Sequence, residues 1–168
     1  KIAVNTRLLI RNRLEGIGWF TFETLKRIVE QHPEEEFFFL FDRRPDPSFL
    51  FGKNVTPVVI GPQARHPFLF ITWFEWSVPR ALRRIRPDLF LSPDGYLSLS
   101  AKVPSLAVIH DLNFEHFPED LPWMVRHYYK LFFPRFARKA KRIATVSEFS
   151  RDDISSTYSI DKSLIVVV

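Results

Sequence analysis

The sequence predicts an α/β fold with a mainly parallel sheet of six or seven strands, covered by helices on both faces in the doubly wound arrangement. Two observations support this prediction. Short apolar runs alternate with longer segments of helical periodicity along the 168 residues. Some of these runs, such as those within 36–41 and 103–109, are almost continuously apolar, as is typical of strands buried on both faces.

Three strands and the helices between them are predicted in the first half of the chain. The strands are Lys1–Val4, Glu36–Phe41 and Val55–Ile60, with loops over 5–16 and 42–54. A helix opens at Gly16-Ile17-Gly18 and runs to about Gln31, where His32-Pro33 stops it. Residues 68–78 are aromatic and predicted helical. Ser77 and Pro79 predict the N-cap and first turn of a further helix that ends near Arg86-Pro87.

Four strands are predicted in the second half, at Asp88–Ser92, Val103–Ile109, Arg142–Val146 and Ser163–Val168. Residues 122–140 carry aromatic side chains at a spacing of four, which predicts a helix, and Pro134 predicts a kink in it. Ser147, followed by acidic residues, predicts an N-cap for a helix that runs to about Ser156. We expect one domain over 1–168, and the buried strand at its end leads us to expect that a further domain follows.

Composition excludes several classes of protein. The chain is 46% hydrophobic and 26% charged, which is a globular balance that can form a sizeable core. No apolar run reaches the roughly 18–20 residues of a spanning helix, and the first residues resemble no secretory leader. The absence of cysteine excludes disulfides and cysteine-ligated metals, and fits a reducing compartment. We therefore expect a cytoplasmic protein.

The net charge of +5 is concentrated in one segment. Residues 121–142 hold seven Lys and Arg and no acid, and the rest of the chain carries 17 basic and 19 acidic residues. This distribution favours one local anionic partner over a protein that coats nucleic acid.

Polar clusters follow four of the predicted strands. They are Asn5-Thr6-Arg7, Asp94-Gly95, His110-Asp111 and Ser147. Ligands of doubly wound sheets bind outside the carboxyl ends of the strands, so these clusters are candidate site residues.

Gly16 and Gly18 precede a helix, where backbone N–H groups and the helix dipole suit a phosphate. The alternative is a flexible turn that requires a positive φ, because the third glycine of a dinucleotide motif is missing.

His110 directly follows an apolar strand, where an imidazole can donate to a sugar hydroxyl or accept a proton. The alternative is a histidine hydrogen-bonded at the edge of the sheet. His116 lies six residues on, but no third ligand has suitable spacing, so we predict no metal site.

The segment that opens at Ser147 allows two interpretations. Ser147 is an N-cap candidate, and Arg151 could hold a phosphate or carboxylate or could pair with a neighbouring acid.

The helical segment 123–142 combines an apolar aromatic stripe with a basic one. Its cations Arg126, Lys130, Arg138 and Lys139 are candidates for contact with an anionic membrane surface. The alternative is a core helix with a solvated cationic face. Nucleic acid is not expected, because the aromatic residues follow the apolar face instead of forming a stacking platform.

Together these residues resemble the N-terminal domain of a family 4 (group 1) glycosyltransferase with the GT-B fold. The resemblance covers nearly the whole chain. It rests on the glycines before the first helix, Arg86–Leu91, the strand that runs into His110-Asp111, and the stretch Thr145–Ile154.

This resemblance implies two Rossmann-like domains, of which the second, absent here, holds the nucleotide-sugar through an acidic motif. It implies that Gly16 and Gly18 approach the donor diphosphate and that His110 contacts the transferred sugar. Asp111 would shape the loop at His110. Acceptor-side residues of the cleft would be Ser147, Ser150 and Arg151.

The implied activity is retaining transfer of a hexose, such as mannose, from a nucleotide-sugar to a glycan or lipid-linked acceptor, in polysaccharide biosynthesis. The family generally needs no metal, and we expect no cofactor and an inactive isolated domain. Members that act on lipid-linked acceptors bind the membrane peripherally, here at its inner face. Two alternatives stay open: a nucleotide-sugar epimerase of the UDP-GlcNAc 2-epimerase type, and a non-catalytic binding module or membrane-surface scaffold.

Overall fold

A computed structural model describes residues 1–64 and 66–168. It contains seven strands: β1 (Ile2–Asn5), β2 (Phe37–Phe41), β3 (Val55–Val59), β4 (Leu89–Ser92), β5 (Ser105–Val108), β6 (Arg142–Thr145) and β7 (Ile165–Val167). They form one sheet in the order β3-β2-β1-β4-β5-β6-β7, and every neighbouring pair is parallel. The predicted doubly wound α/β fold is confirmed.

The helices are α1 (Gly16–Gln31), α2 (Pro67–Thr72), α3 (Val78–Ile85), α4 (Asn113–His116), α5 (Trp123–Lys139) and α6 (Glu148–Tyr158). A π-helical turn, Trp73–Ser77, joins α2 to α3, and short 3-10 turns lie at Pro47–Phe49, Pro118–Asp120 and Lys162–Leu164.

The core consists of two apolar layers, one on each face of the sheet, because successive side chains of a strand point to opposite faces. In β2, Phe37, Phe39 and Phe41 pack in the layer that contains Leu25 and Val29 of α1. Leu40 lies in the opposite layer, together with buried residues of α3, α5 and α6. The sheet is therefore covered on both faces, as its apolar strands predict.

The predicted N-cap at Ser77 is wrong. Ser77 has helical backbone angles, makes no capping hydrogen bond, and donates its hydroxyl to the carbonyl of Gly61. The helical path runs on from α2 through the π-helical turn, where the N–H of Val78 reaches back five residues to the carbonyl of Trp73. This longer bond accommodates Pro79, which has no N–H of its own to donate.

Other boundaries differ by a few residues. Helix α5 continues through Pro134, and α6 extends to Tyr158 before Ser159 adopts a left-handed conformation at φ 55°. The predicted N-cap at Ser147 is confirmed, because its hydroxyl accepts a hydrogen bond from the N–H of Ser150. Helix α4 and the 3-10 turns are not predicted, since such short segments carry too few residues to show a period.

The strand order reverses direction at β1, which lies between β2 and β4. Connections from these central strands run to opposite sides of the sheet, and this leaves a crevice beyond their carboxyl ends. The segments after β1, β4 and β5 therefore determine what the crevice presents.

Candidate functional site

A buried polar network joins the carboxyl ends of β1 and β4. The Asn5 side-chain amide donates to Asp94 Oδ1 at 2.7 Å and to Ser92 Oγ at 3.0 Å. Ser92 Oγ donates to the same Asp94 oxygen at 3.0 Å. Asp94 is thus fixed by neighbours from both strands.

Arg7 is the positive partner in this network. Its Nε donates to Asp94 Oδ2 at 2.8 Å, and the two side chains are only 9% and 4% exposed. Burial acts to lower the pKa of Arg7, but the charge of Asp94 and the nearby tyrosines reverse that effect, and the pKa is raised. Arg7 therefore stays cationic inside the protein.

Aromatic rings hold the Arg7 guanidinium in place. Its Cζ lies 4.5 Å from the ring centroid of Tyr96, 5.1 Å from that of Phe70 and 5.8 Å from that of Phe74. These distances are in the range of cation–π attraction. The ring of Tyr96 reaches this position because Gly95, between it and Asp94, has a φ of +80°. A side chain at Gly95 would also meet the carbonyl oxygen of Val108 at 3.2 Å.

Arg7 faces a cavity of about 760 Å³, which we call the arginine cleft. The cleft collects residues from the ends of β1 and β2 and the start of α1. Its lining residues are Arg7, Leu8, Ile10, Arg13, Glu15, Gly16, Ile17, Gly18, Arg43 and Ala64.

Both predicted glycines line the arginine cleft. Neither has a positive φ, so the alternative of a flexible turn that requires one does not apply. A Cβ at Gly18 would come within 3.3 Å of Leu14 and of the Leu8 carbonyl, whereas a Cβ at Gly16 would meet no atom within 4 Å. Glu15 does not cap α1 with its side chain, and the first turn holds no acid. Among the described residues no side chain caps the first N–H groups of α1, so these groups can serve a ligand.

A second cavity, of about 260 Å³, adjoins the first, and we call it the aromatic pocket. It shares Arg7, Leu8 and Ile17 with the arginine cleft. Its other lining residues are Asp94, Tyr96, Val108, Ile109, His110, Asp111, Phe114, Tyr129 and Phe133. Aromatic walls with a few polar groups are typical of small-molecule sites.

His110 lies in the aromatic pocket, half-buried and held at two points. Its Nε2 is 2.9 Å from the carbonyl oxygen of Pro93, and its ring meets that of Phe20 edge-on at 4.8 Å. Because a carbonyl oxygen can only accept, Nε2 carries a proton, and Nδ1 is the acceptor of the neutral ring. The hydrogen-bonded alternative expected for His110 therefore coexists with a position in the pocket.

Asp111 also lines the aromatic pocket, and its carboxylate accepts from the N–H of Asn113 at 3.0 Å, at the start of α4. His116 faces Asp153 of α6, with Nε2 2.9 Å from each carboxylate oxygen. The described residues, 1–64 and 66–168, include no group of three His, Asp or Glu side chains arranged for a metal ion.

The predicted acceptor residues on α6 lie outside both cavities. Ser147 and Ser150 bond to each other at the helix start, where Ser147 Oγ donates to Ser150 Oγ at 3.0 Å. Arg151 pairs with Glu148 and lies 3.8 Å from Asp152. Arg151 thus pairs with neighbouring acids in this structure, and the acceptor role of the three residues stays a prediction.

The predicted membrane-surface cations lie on α5. Arg126, Lys130 and Arg138 are exposed, Lys139 is half-buried, and Trp123 on the same helix is 70% exposed. The ion pairs found among the described residues include none of these four cations.

Sequence reasoning selected Arg7, Asp94 and His110 from their positions after strands, but it missed other lining residues. Arg43 follows β2 by two positions and forms a two-point pair with buried Asp42, at 2.6 and 2.9 Å. The same strand-end rule would have found it. Tyr129 carried no comparable signal, because its place in the pocket depends on how α5 packs.

Comparison with known proteins identified a family. The family model described as Glycosyltransferase Family 4 matches residues 14–168. A comparison with curated protein sequences found no match.

Solved structures with the same fold share little sequence with this chain. A glycosyltransferase from Rickettsia africae is 12% identical with a TM-score of 0.57, over 99% of this chain and 42% of that one. Anabaena HepE, solved with UDP and glucose, is 16% identical with a TM-score of 0.59, over 100% and 44%. The UDP-GlcNAc 2-epimerase of Methanocaldococcus jannaschii is 13% identical with a TM-score of 0.54, over 99% and 44%. The chain spans less than half the length of these proteins.

Proposed function

Because the chain belongs to Glycosyltransferase Family 4, we propose that it is the acceptor-side half of a retaining glycosyltransferase. The enzyme would transfer a hexose, such as mannose, from a nucleotide-sugar to a glycan or lipid-linked acceptor in polysaccharide biosynthesis. The observation that carries the proposal is the crevice beyond β1 and β4, where Arg7, Asp94 and His110 line two adjoining cavities.

The donor diphosphate would bind at the start of α1. The N–H groups of Gly16, Ile17 and Gly18 are the first three of the helix and have no side-chain cap. In the transfer step, negative charge grows on the departing phosphate, and fixed N–H dipoles stabilise it without having to reorganise. The UDP and glucose of the HepE structure support a nucleotide-sugar donor.

His110 would orient the transferred sugar. With Nε2 bound to the Pro93 carbonyl, its Nδ1 is the atom that can accept a hydrogen bond from a sugar hydroxyl. We assign the nucleophile role to no carboxylate of this chain. Asp94 is engaged by four donors, from Asn5, Arg7, Ser92 and the N–H of Tyr96, so it serves as a positioning residue.

The nucleotide-sugar would be bound mainly by a second domain that follows this chain. The structures matched by the chain are more than twice as long, and the chain covers 42–44% of them. We expect catalysis to need no metal and no cofactor beyond the nucleotide-sugar, because N–H groups and cations on the protein can neutralise the leaving phosphate.

Contact with an anionic membrane surface would bring a lipid-linked acceptor to the crevice. The exposed cations of α5 and its Trp123 match the composition of helices that lie on membranes. No helix among residues 1–64 and 66–168 has both the length and the apolarity to span a bilayer. Peripheral binding at the cytoplasmic face of the membrane, through these exposed residues of α5, is part of the proposal.

The test is product analysis with the protein at its full natural length. It would be incubated with UDP- and GDP-hexoses and a lipid-linked or glycan acceptor, and the products would be analysed by mass spectrometry and NMR. We expect a new glycosidic bond with the anomeric configuration of the donor. An epimerised nucleotide-sugar would instead support the epimerase alternative, and the absence of any conversion would support a non-catalytic module.

A further inference from the structure

The arginine cleft presents cations whose partner carboxylates lie elsewhere. Arg7 and Arg43 both line it, whereas Asp94 lines only the aromatic pocket and Asp42 is 1% exposed. Among the lining residues that the structure describes, the one acid is Glu15, which lies 3.8 Å from Arg13. The described lining of the cleft therefore carries more guanidinium groups than carboxylates.

Arg7 is the most constrained of these cations. Asp94 engages only its Nε, and neither terminal nitrogen donates a hydrogen bond to another residue that the structure describes. Nine-tenths of the side chain is buried, and three aromatic rings surround its guanidinium carbon. Because folding has already fixed this side chain, binding through its two free nitrogens costs little conformational entropy.

Arg43 complements Arg7 at the cleft. Two of its nitrogens bind Asp42, which leaves Nη1 without a partner among the described residues. The hydrogen bond to Asp42 raises the pKa of Arg43, whereas burial and the charge of Arg7 act in the opposite direction. Two neighbouring cations with free donors suit a group that carries two or more anionic oxygens.

The arginine cleft adjoins the aromatic pocket, where the proposed function places the transferred sugar. Because Arg7 lines both cavities, an acceptor that approaches this sugar from the cleft would carry its own substituents towards the arginines. Gly16 and Gly18 line the same cleft, but the proposed diphosphate site uses the N–H groups of α1, whereas Arg7 and Arg43 lie on the segments after β1 and β2.

We propose that the arginine cleft binds an anionic substituent of the acceptor, with Arg7 and Arg43 as the residues that recognise it. The inference rests on the proposed function, since it assigns the acceptor to this crevice. The substituent is a carboxylate, as in a uronic acid, or a phosphate ester, because both offer the paired oxygens that guanidinium groups bind. The acceptor is thus an acidic sugar.

Titration of this 168-residue chain tests the proposal without requiring transfer. The probes are methyl glucuronide, glucose 6-phosphate, neutral methyl glucoside and inorganic phosphate. The binding of each probe is measured by calorimetry or by amide NMR shifts. We expect at least one of the two acidic sugars to bind about 10-fold or more tighter than methyl glucoside, and the better of them identifies the anion. Similar affinity for methyl glucoside and both acidic sugars would overturn the proposal. So would inorganic phosphate that binds as tightly as the better acidic sugar, because the cleft would then recognise a phosphate alone.

Variants locate the binding within the cleft. Arg43→Gln should weaken the better acidic sugar about 5- to 10-fold, and Arg7→Lys, which keeps the charge but loses the planar fork, should weaken it similarly. Arg13→Gln removes an exposed cation of the cleft, and it replaces the other two variants as the test if they unfold. Its matched control is Arg11→Gln, because Arg11 lies in the same loop and pairs with one acid but lies outside the cleft.

The two loop variants give a clear decision. A loss at Arg13→Gln with less than a twofold change at Arg11→Gln supports binding in the cleft, and losses of equal size at both positions would overturn the proposal. Failure of the proposed function can be recognised separately. A chain that binds acidic sugars as expected, while the longer enzyme makes no glycosidic bond, would contradict the transferase assignment alone.

Discussion

Asp94 is held by hydrogen bonds at both carboxylate oxygens, and the two oxygens have different partners. Oδ1 accepts from Asn5, Ser92 and the N–H of Tyr96, and Oδ2 accepts from Arg7. A substitution that changes only Oδ2 therefore separates the charge pair from the rest of the network.

Asp94→Asn is expected to destabilise the chain by about 3 kcal/mol, because it leaves the Arg7 cation buried without a counter-charge. Its amide nitrogen would also face the N–H of Arg7. Denaturant unfolding monitored by circular dichroism measures the change. Asp88→Asn is the control, since that carboxylate is 84% exposed and solvent screens its ion pair, so the change should have little effect. A loss at Asp94→Asn no larger than the control's would show that the buried pair contributes little.

His110→Ala, in the protein at its full natural length, should lower kcat/KM about 100-fold, equivalent to roughly 2.7 kcal/mol of transition-state stabilisation. The lost hydrogen bond to the Pro93 carbonyl should cost about 1 kcal/mol of stability, or about 2–4 °C in Tm. Steady-state kinetics and melting on one preparation separate the two effects.

Phe20→Leu is the matched control for His110, because it removes the edge contact with the imidazole but leaves the imidazole in place. We expect its kcat/KM to stay within about threefold of the wild type. Normal activity per folded molecule of His110→Ala would remove this histidine from the site and leave it a purely structural role.

Among the elements, α6 shows how a cap can be predicted and α3 shows how the same signal fails. Ser147 and Ser77 both precede helical segments, but only Ser147 has extended backbone angles and accepts a hydrogen bond from the helix. The prediction for Ser77 is wrong because a helix, and not a loop, precedes this residue. The π-helical turn Trp73–Ser77 continues that helix up to Val78, the residue before Pro79. Local sequence does not contain that information, because the continuation depends on the core contacts of Trp73 and Phe74.

Ser147→Ala should cost about 1 kcal/mol of stability, because the N–H of Ser150 loses its acceptor. Chemical denaturation with matched slopes measures the loss. Ser156→Ala, on the exposed part of α6, should change stability by less than about 0.5 kcal/mol. Equal effects at the two serines would mean that the cap does not stabilise this helix.

The basic helix α5 gives a prediction on membranes. Arg126→Gln with Lys130→Gln should weaken binding to vesicles of phosphatidylglycerol and phosphatidylcholine about 10-fold or more, since each cation near an anionic surface contributes about 1 kcal/mol. Sedimentation with vesicles at two salt concentrations measures this. Lys53→Gln with Lys102→Gln removes the same charge from exposed positions outside α5. Equal losses in both double variants would indicate a general charge effect and no membrane-binding face.

At the scale of the whole molecule, the doubly wound sheet was predictable from the sequence. Several of its strands are almost continuously apolar, and these short apolar runs alternate with segments of helical periodicity. The crevice was predictable in part, since the strand-end rule places Arg7, Asp94 and His110 there. The aromatic walls were not, because Tyr96 and Tyr129 meet through a 2.7 Å hydrogen bond between residues 33 positions apart. Only the packing of α5 against the sheet brings such residues together.

The split of the proposed enzyme between two domains predicts weak donor binding by this chain alone. Calorimetric titration with UDP- and GDP-sugars should give no dissociation constant tighter than about 1 μM, equivalent to roughly −8 kcal/mol. Circular dichroism of the same sample confirms that the chain is folded. Sub-micromolar binding would require a complete nucleotide site in these residues and would contradict the split.

Because β1 lies in the middle of the sheet, its two neighbouring strands are synthesised at different times. Ile2, Ala3 and Val4 are the first part of the sheet to leave the ribosome, yet they pair on one side with residues 37–39 and on the other with residues 89–91. Once residues up to about 60 have left the ribosome, β1, β2 and β3 can form, but the edge of β1 that pairs with β4 stays open. Exposed strand edges pair readily with wrong partners, so this edge is the part of the nascent sheet that most needs protection until β4 emerges.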